Sequence, residues 1–530
     1  MSKECFSCAF LGTETCIHPG YAAAYTKACA DYEPREEARQ EALDVDPERY
    51  FRDGKFVPAL LAVDLMKDHI FKTMKDTEEV YVYIDGVYRP DGENVIKREC
   101  EVRLGGLIST HGVNEVIGHV RRSTYVDRTL FDADHFTLNL ENGLFNTNNT
   151  GLRSHDPEYL SMVRLPLHYD PDAECPKIQK FLVEILNEKD IPAVLEFFGY
   201  CLYRGYPIHK SFMLVADGAN GKSSLLRLLR AFLGKENCAS IGLQEFEESR
   251  FATSALYNKM ANISPDLPST ALQQTGKFKM LVGEDLIGAE KKFKEHFTYE
   301  NYAKMIFSTN RIPLAWDDSS AFYRRWIIIN FPNVFVGDKA DKHLLKRLAV
   351  REELSGLLNL ALGGMRRLLE SGEFTGAPTI EEARETYVRM SDSVGSFIMD
   401  KIEISSEDWI AKGELYKQFC EYCGTHRYPV VSEKTFAKRL AYHVKVNDFR
   451  PQDGDRRVTA WRGIKFREEV QQTKIREEEE DSDKPPVVDL SDTCGRCGRP
   501  LGEDKIWVGM GLGHICKDCE KERTDEYFGR

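Results

Sequence analysis

The amino-acid sequence predicts an α/β protein with a parallel sheet at its centre and small cysteine-rich modules at both ends. Between Ser211 and about Val336, short apolar runs alternate with helical and polar stretches. This alternation is typical of parallel strands joined by crossover helices. Eight of the fourteen cysteines lie in two terminal clusters with the spacing of metal ligands. We therefore expect a parallel-sheet domain with metal modules before and after it along the chain.

The bulk composition limits the class of protein. With 530 residues and 60.7 kDa, the chain is too long for one compact core, so three or four domains are expected. The net charge of −13 argues against a surface that binds nucleic acid everywhere, so any DNA contact must be local. No stretch approaches the roughly 20 apolar residues of a membrane-spanning helix, and the N-terminus lacks a signal-peptide pattern. We expect a cytoplasmic protein without a membrane partner.

Turn signals and shifts in composition divide the chain into seven segments. The turn Asp85-Gly86 and a helical run from Pro176 to Tyr203 belong to a mixed α/β domain that precedes the central one. The expected segments are a cysteine-rich zinc module at 1–34, a linker at 35–49, the α/β domain at 50–205, the parallel-sheet core with a helical extension at 206–390, a winged helix at 395–467, an acidic flexible linker at 468–490 and a zinc ribbon at 491–530.

The central segment contains a glycine-containing loop between a strand and a helix. The strand begins at Phe212, the loop ends in Gly-Lys-Ser at 221–223, and Gly234 closes the helix. Backbone N–H groups at such a helix start form an anion site, the lysine adds charge for the β and γ phosphates, and the serine can ligate Mg²⁺. Ala216 replaces the usual first glycine, and a glycine-rich turn without a ligand is the alternative. The residues expected to bind a nucleotide are Gly218, Ala219, Asn220, Gly221, Lys222, Ser223 and Ser224.

Polar residues downstream of this loop predict NTP hydrolysis. Asp266 ends a short strand-like run, where a carboxylate can hold Mg²⁺ or polarise the attacking water, although acids after strands are common. Asn310 ends an apolar strand and can orient that water. Arg324 and Arg325 precede another buried strand, where a guanidinium can stabilise transition-state charge across a subunit boundary. With Lys222, these four residues are the expected catalytic set.

A basic run lies between Asp266 and Asn310. Lys291, Lys292 and Lys294 surround Phe293, ahead of a return strand from His296 to Tyr302. A basic hairpin with an aromatic tip can grip a phosphate backbone while its ring packs on a sugar or base. The alternative is a solvated lysine run.

The order of these motifs resembles superfamily 3 helicases, and more closely the phage and plasmid primase-helicase family with its poxvirus-type helicase N-terminal domain. The similarity covers roughly residues 50 to 465, and its most specific pieces lie at 218–223, 281–293, 307–313 and 322–326. The turn at 139–144 resembles one in that N-terminal domain. The resemblance implies an AAA+ P-loop core with Lys222 and Ser223 as Walker A residues, Asp266 as the Walker B acid, Asn310 as the first sensor, Arg324 or Arg325 as the arginine finger, and Lys292 and Phe293 as pore residues.

The resemblance also implies a function. It indicates an ATP-dependent DNA helicase of a phage-like or plasmid-like replicon, a hexameric ring that uses ATP and Mg²⁺ and holds single-stranded DNA in its pore at a forked duplex. Only about 45 residues precede the helicase-type segment, so we expect no primase domain here and a separate primase or replication initiator as a partner. Asp132 and Asp134 imitate a primase metal triplet but lie inside the α/β domain. Two rivals stay open: an AAA+ switch in defence or regulation, and a non-enzymatic origin-binding scaffold.

The cysteine clusters predict two metal sites. Near the C-terminus, two Cys-x2-Cys pairs are separated by 18 residues, which is the signature of a zinc ribbon. The N-terminal cluster suits Zn²⁺ or an iron–sulfur cluster. The expected ligands are Cys494, Cys497, Cys516 and Cys519 at one end, and Cys5, Cys8, Cys16 and Cys29 at the other. The remaining pair, Cys420 and Cys423, lies in one amphipathic helix and favours core packing.

The segment 395–467 has the pattern of a winged helix. One helix is expected from Lys412 to Cys423, and a second from Ser432 to His443 with Ser432 as its N-cap. A turn at 453–454 and the strand-like run 458–466 suit a hairpin wing. The second helix of such a domain can enter the major groove of DNA, although many winged helices bind only protein. The candidate DNA contacts are Lys434, Lys438, Arg439, Arg456 and Arg457.

Overall fold

A computed structural model gives the fold. It describes residues 46–290, 296–336, 341, 343–453 and 456–467, together with the backbone of 506–507 and 514–515. The described residues fall into two compact units, which divide between residues 399 and 400, 412 and 413, and 445 and 446.

The first described segment is a small sheet covered by helices. Its strands are β1 (Phe51–Arg52), β2 (Lys55–Phe56), β3 (Phe71–Met74), β4 (Val80–Ile84), β5 (Val87–Arg89) and β6 (Tyr125–Val126), and its helices are α1 (Pro58–Asp68), α2 (Gly92–Leu104) and α3 (Thr110–Ser123). The main sheet has the order β5-β4-β3-β6, in which only β3 and β6 run parallel. Ser109 caps α3 by accepting from the Gly112 N–H at 3.2 Å. The helices bury Leu61, Ile96 and Val116 in one apolar cluster.

A meander and two helices lead into the central sheet. The strands are β7 (Thr137–Leu140), β8 (Gly143–Asn146) and β9 (Gly151–Arg153), and the helices are α4 (Pro176–Ile185) and α5 (Ile191–Tyr200). The predicted helical run from Pro176 to Tyr203 is therefore interrupted, and the 3-10 turn Glu188–Asp190 separates its two helices. Leu186 ends α4 in an extended conformation, and Pro192 lies in the first turn of α5, a position that proline tolerates.

The central sheet confirms the predicted parallel architecture. Its strands are β10 (Ser211–Val215), β11 (Cys238–Ala239), β12 (Ala261–Ser264), β15 (Lys304–Thr309) and β16 (Trp326–Asn330), in the order β11-β12-β15-β10-β16. All neighbours run parallel. Strands β10 and β15 are buried along their whole length, as expected for a sheet covered on both faces.

Short helices and one antiparallel hairpin connect these strands. The helices are α6 (Lys222–Leu233), α7 (Leu243–Glu248), α8 (Gly276–Leu281) and α9 (Ser320–Tyr323), and the hairpin consists of β13 (Leu286–Ala289) and β14 (Phe297–Glu300). The core of this region is continuous with apolar residues of β7, α4 and α5, so it extends across the predicted boundary at 205.

The predicted helical extension consists of three helices. They are α10 (Leu344–Leu348), α11 (Arg351–Ser371) and α12 (Ile380–Ser391). Gly372 ends α11 with a φ of 72°, and Thr379 starts α12 with a capping box to Glu382. Helix α11 packs against α5 at Gly199, where a Cβ atom would lie 2.1 Å from the Ala361 carbonyl oxygen. Only glycine permits this close approach.

The following region contains three helices and a small antiparallel sheet. The helices are α13 (Ser393–Lys401), α14 (Lys412–His426) and α15 (Glu433–His443), and the strands are β17 (Ile402–Ala411), β18 (Asn447–Phe449), β19 (Gln452–Asp453), β20 (Arg456–Arg457) and β21 (Ala460–Phe466). Strands β17, β21 and β18 form one sheet, and β19 pairs with β20. The predicted cap is confirmed, since the Ser432 hydroxyl accepts from the Thr435 N–H at 3.3 Å.

Two short strands, β22 (Ile506–Trp507) and β23 (His514–Ile515), pair antiparallel near the C-terminus. The predicted zinc module at 1–34, the acidic linker at 468–490 and the eight predicted cysteine ligands lie outside the described residues. Across the described ranges, no helix has both the length and the apolar character that crossing a membrane requires.

Candidate active site

The carboxyl ends of three strands bring the predicted nucleotide-binding residues together. Strand β15 lies between β12 and β10. Val215 at the end of β10 is the Cα partner of Thr309 at the end of β15, and β12 continues the same parallel register. The phosphate loop, Asn310 and Asp266 follow these strand ends, so all three meet at one edge of the sheet.

Three residues of the loop between β10 and α6 have positive φ angles. Gly218, Ala219 and Gly221 have positive φ angles of 123°, 50° and 90°. The buried Asn220 side chain braces the turn, because its Oδ1 accepts from the Gly218 N–H at 2.7 Å and its Nδ2 donates to the Asn333 carbonyl oxygen at 3.0 Å. Gly221 must be glycine for a second reason: an added Cβ would lie 2.6 Å from Ile185 Cγ2.

The departure at Ala216 has a simple structural explanation. Ala216 does not have a positive φ angle. Its N–H donates to the Thr309 carbonyl oxygen at 3.4 Å, which continues the ladder between β10 and β15. Because the backbone there stays in the region that any residue adopts, the position does not require glycine.

Lys222 is held at the centre of the site. Its Nζ donates to the Ala216 carbonyl oxygen, to the Thr309 carbonyl oxygen at 2.9 Å and to Asn310 Oδ1 at 3.0 Å. Burial lowers the pKa of Lys222, while the carboxylates of Asp217 and Asp266 act in the opposite direction. The lysine thus touches the loop and the predicted sensor within one chain.

These residues line a cleft of about 630 Å³, a volume typical of small-ligand sites. All seven predicted loop residues line it, as do Asp266 and Asn310. Sequence reasoning missed its other walls, which are Phe181, Glu184, Ile185, Pro265, Ser308, Phe335, Asp341, Leu344 and Arg347. The apolar members come from α4, from the segment after β16 and from α10, which have no sequence motif in common. Only the apolar i,i+4 pair in α4 could have indicated a wall.

The donor set fits a nucleotide with a magnesium ion. Ser223 at the start of α6 and Asp266 after β12 offer a hydroxyl and a carboxylate, which are the oxygen ligands that Mg²⁺ prefers. Asp217 lies close enough to Lys222 to influence its pKa and supplies a second acid beside the loop. The chain therefore has a phosphate cradle, a cation and carboxylates at one edge of its sheet.

The predicted arginines lie at the opposite edge. Arg324 and Arg325 precede β16, and Trp326 is the Cα partner of Ser211 at the start of β10. Four residue steps separate Ser211 from Val215, which corresponds to about 13 Å along the strand. Arg325 is buried, and its Nη1 donates to the Ala321 carbonyl oxygen at 2.5 Å. Arg324 is exposed.

Two carboxylates hold the turn that carries Arg324. Asp317 accepts from Lys279 Nζ at 2.9 Å and from the Ser319 N–H at 3.0 Å. Burial would raise the pKa of Asp317, but these hydrogen bonds lower it well below its usual range. Asp318 accepts two hydrogen bonds from Arg384 of α12, at 3.1 and 2.8 Å. The guanidinium of Arg324 therefore projects from a braced turn.

The predicted DNA contacts fall into three groups. Lys291, Lys292, Phe293 and Lys294 lie outside the described residues, in the connection between β13 and β14. Lys434, Arg456 and Arg457 are exposed. Lys438 lies 4.9 Å from the ring centroid of Trp316, and Arg439 pairs with the buried Asp392 at 3.0 Å. A DNA contact by Arg439 would have to compete with this ion pair.

The acidic pair that imitates a primase triplet has structural partners. Asp132 is buried, pairs with Arg204 at 3.3 Å and accepts from the Ser161 hydroxyl at 2.8 Å. Asp134 accepts from the Phe136 N–H at 2.9 Å. Within the described part of the chain, no three His, Cys, Asp or Glu side chains come together as metal ligands do. Cys423 is buried and Cys420 half-buried, and both are free thiols.

Comparisons with known proteins address the segment before the central sheet. Residues 54–187 match the family described as D5 N terminal like. The chain carries a D5 N-terminal-like domain. The predicted resemblance to the primase-helicase N-terminal family is thereby confirmed. Residues 214–325, which contain the phosphate loop and both predicted arginines, match a family of unknown function, DUF5906.

Individual relatives are distant. A protein of Acanthamoeba polyphaga mimivirus with a provisional helicase name is 26% identical over 219 residues, which is 39% of this chain and 22% of the mimivirus protein. The chain thus matches about a fifth of that relative's length. Two solved structures of the NrS-1 C-terminal region are 12% and 13% identical and each has a TM-score of 0.42. Both align with 77% of this chain, covering 99% and 100% of their own chains. This structural likeness is weak.

Proposed function

We propose that the protein is an ATP-driven DNA helicase of a phage-like or plasmid-like replicon, with an AAA+ core that works as a ring of identical subunits, six in number. The observation that carries the proposal is the division of the catalytic set between two edges of one sheet. Lys222, Asp266 and Asn310 lie together at the carboxyl edge, whereas the exposed Arg324 lies at the amino edge. The arginine of one subunit can then complete the site of the next.

Each residue has a role in ATP hydrolysis under this proposal. The N–H groups of the loop and the start of α6 bind the phosphates, and Lys222 neutralises the charge on the β and γ phosphates. Ser223 and Asp266 would hold Mg²⁺, which lowers the charge on the phosphates when bound. Asn310 orients the attacking water, and either Asp266 or Asp217 receives its proton. Phe181, Ile185 and Phe335 supply an apolar wall for the base.

Under this proposal the arginine comes from another copy, and the geometry of the sheet supports this. Arg324 starts about 13 Å along the sheet from the phosphate loop and on the opposite edge. A guanidinium reaches only about 6 to 7 Å from its Cα, so it cannot approach a γ-phosphate in its own chain. In a head-to-tail ring, which repeats one heterologous contact, the amino edge of each subunit can face the carboxyl edge of its neighbour. Arg324 is the finger in this proposal, because Arg325 is buried and bound to its own turn.

The DNA contacts are proposed from the sequence. Lys291, Lys292, Phe293 and Lys294 connect the two strands of the β13–β14 hairpin, and ATP hydrolysis would move this hairpin along one DNA strand in the pore. Lys434, Lys438, Arg456 and Arg457 belong to a proposed winged helix, which would hold the duplex or a partner protein. The cysteine sets at 5–29 and 494–519 would bind zinc, or an iron–sulfur cluster at the N-terminal site, and fold small modules.

The proposal is tested by measuring ATP hydrolysis and the separation of forked DNA for wild type and for the Lys222→Ala variant. Wild type should do both, and the variant should lose about 100-fold or more of its ATPase activity because the phosphate charge is no longer neutralised. Lys235→Ala is the matched control, since Lys235 is an exposed lysine beyond the other end of the same helix. Equal activity in all three proteins would favour a non-enzymatic scaffold. ATP hydrolysis without strand separation in wild type would favour a regulatory switch.

A further inference from the structure

One arginine of the D5 N-terminal-like domain reaches into the central domain. Arg128, directly after β6, donates from Nε and Nη2 to both carboxylate oxygens of Asp76, at 2.7 and 2.9 Å. The same guanidinium also lies against two aromatic rings of the central domain. Its Cζ lies 4.8 Å from the ring centroid of Tyr257 and 4.7 Å from that of Phe297.

One ring, that of Phe297, belongs to the hairpin that the proposed function moves, at the end of its ladder next to the connection between the strands, and the Tyr257 ring packs against it. Phe297 is the first residue of the return strand β14, and Tyr257 follows the 3-10 turn Ala252–Leu256. Their centroids are 5.1 Å apart, and Tyr299 packs on the same Tyr257 ring at 5.4 Å. The Thr253 hydroxyl donates to the Gly288 carbonyl oxygen of β13 at 3.0 Å. Arg128 thus closes a cluster that grips both strands of the hairpin.

The arginine of this contact is buried, whereas its carboxylate partner is partly exposed. Only 11% of the Arg128 side chain is exposed, against 41% for Asp76. Burial would raise the pKa of Asp76, but hydrogen bonds and charge from Arg128 lower it, so the carboxylate and the guanidinium stay ionised together. A cation between aromatic faces gains more when it is shielded from water. The bidentate pairing fixes the plane of the guanidinium and therefore the place of the rings.

We infer that Arg128 is a positioning residue that ties strand β14 to the D5 N-terminal-like domain, so that movement of the hairpin on ATP hydrolysis is transmitted to that domain. The inference rests on the proposed helicase function. Arg128 does not line the nucleotide cleft and does not act on ATP. Its loss should therefore uncouple strand separation from hydrolysis and leave hydrolysis itself unchanged.

Hydrogen exchange tests the contact without DNA or ATP. In the full-length Arg128→Met variant, amides of β14 should exchange about tenfold faster than in wild type, because strand opening no longer costs the cation–ring contacts. Arg121→Met is the matched control, since Arg121 pairs with Glu78 and Glu93 of its own domain at 3.2 and 2.6 Å. Exchange of β14 at the wild-type rate in Arg128→Met would overturn the inference.

The number of base pairs separated per ATP hydrolysed tests the transmission. We expect this ratio to fall about tenfold in Arg128→Met, with kcat and KM for ATP unchanged. Tyr257→Leu should lower the ratio in the same way from the other side of the contact, while Arg121→Met should match wild type. Arg128→Lys, which keeps the charge but not the fork, should lie between them.

Other outcomes have distinct meanings. A parallel fall of ATPase activity and strand separation would show a structural role and overturn the inference. Faster exchange of β14 with an unchanged ratio would overturn the transmission. If wild type separates no strands, the proposed helicase function falls and the transmission falls with it, while the exchange rates still decide whether the contact holds β14.

Discussion

The cations at the two edges of the central sheet differ in their exposure and in their hydrogen bonds. At the carboxyl edge, Lys222 finds three oxygen acceptors in its own chain. At the amino edge, the neighbouring arginines differ: Arg325 is buried against its own turn, and Arg324 is exposed on a turn that Asp317 and Asp318 brace. The turn is fixed by these carboxylates while the Arg324 side chain stays in solvent, which favours a functional role for Arg324. This difference is what the proposed function requires, with ATP bound at the carboxyl edge and Arg324 acting on a neighbouring subunit.

The amino edge also contains a cation with a purely internal role. Lys304 begins β15 and is fully buried. Its Nζ donates to the carbonyl oxygens of Tyr203 and Gly205 at 2.7 Å and of Tyr302 at 2.8 Å, and it lies 4.3 Å from the Tyr200 ring centroid. Burial lowers the pKa of Lys304 to about 7, while these carbonyls favour its ammonium form. The amino edge therefore provides hydrogen-bond acceptors for one cation, Lys304, whereas Arg324 at the same edge is exposed.

The largest expected effect comes from removing the guanidinium of Arg324 at the amino edge. Arg324→Ala should lower kcat for ATP by about 10³-fold, the usual loss for an arginine finger. Mixing Arg324→Ala with Lys222→Ala subunits should restore part of the activity, because some boundaries then combine an intact loop with an intact arginine. ATP turnover of each variant and of mixtures at several ratios measures this. Strict proportionality to the two separate activities would mean that the arginine does not act between subunits.

A smaller effect is expected from Lys304→Met. Three buried carbonyl oxygens lose their donor, so the free energy of unfolding should fall by about 2–4 kcal/mol. Urea denaturation measures the loss, and the ATPase activity of the folded variant at low temperature should match wild type. Reduced activity in a fully folded protein would assign Lys304 a functional role and weaken the contrast with Arg324.

The smallest effect is expected at Ala216. Because its φ angle is not positive, restoring the usual glycine relieves no strain. Ala216→Gly should cost about 0.5–1 kcal/mol of stability through backbone entropy and leave KM for ATP unchanged. A thermal melt and a substrate titration check this. A marked gain in ATP affinity would show that the alanine distorts the phosphate loop.

Short-range features were predictable from the sequence. The strand, loop and helix around Lys222, the cap at Ser432 and the acid after β12 each depend on a few adjacent residues, so local propensity identified them. The helical run predicted from Pro176 to Tyr203 forms two helices, α4 and α5, and the turn between them was not predicted. The contribution of Phe181 and Phe335 to the wall of the cleft was not predicted, since residues about 150 positions apart come together only in the folded chain.

The sequence by itself determined the identity of the phosphate loop and of the polar residues that follow the strands, because glycine, lysine and carboxylate positions follow from local backbone geometry and charge. Only the tertiary structure decided which arginine is exposed, which lysine is internal, and that Arg128 contacts Phe297 in the hairpin of another domain. The physical reason is that exposure and long-range contacts depend on strand order and on packing between distant segments. Exposure and long-range contacts therefore cannot be predicted from a local sequence pattern.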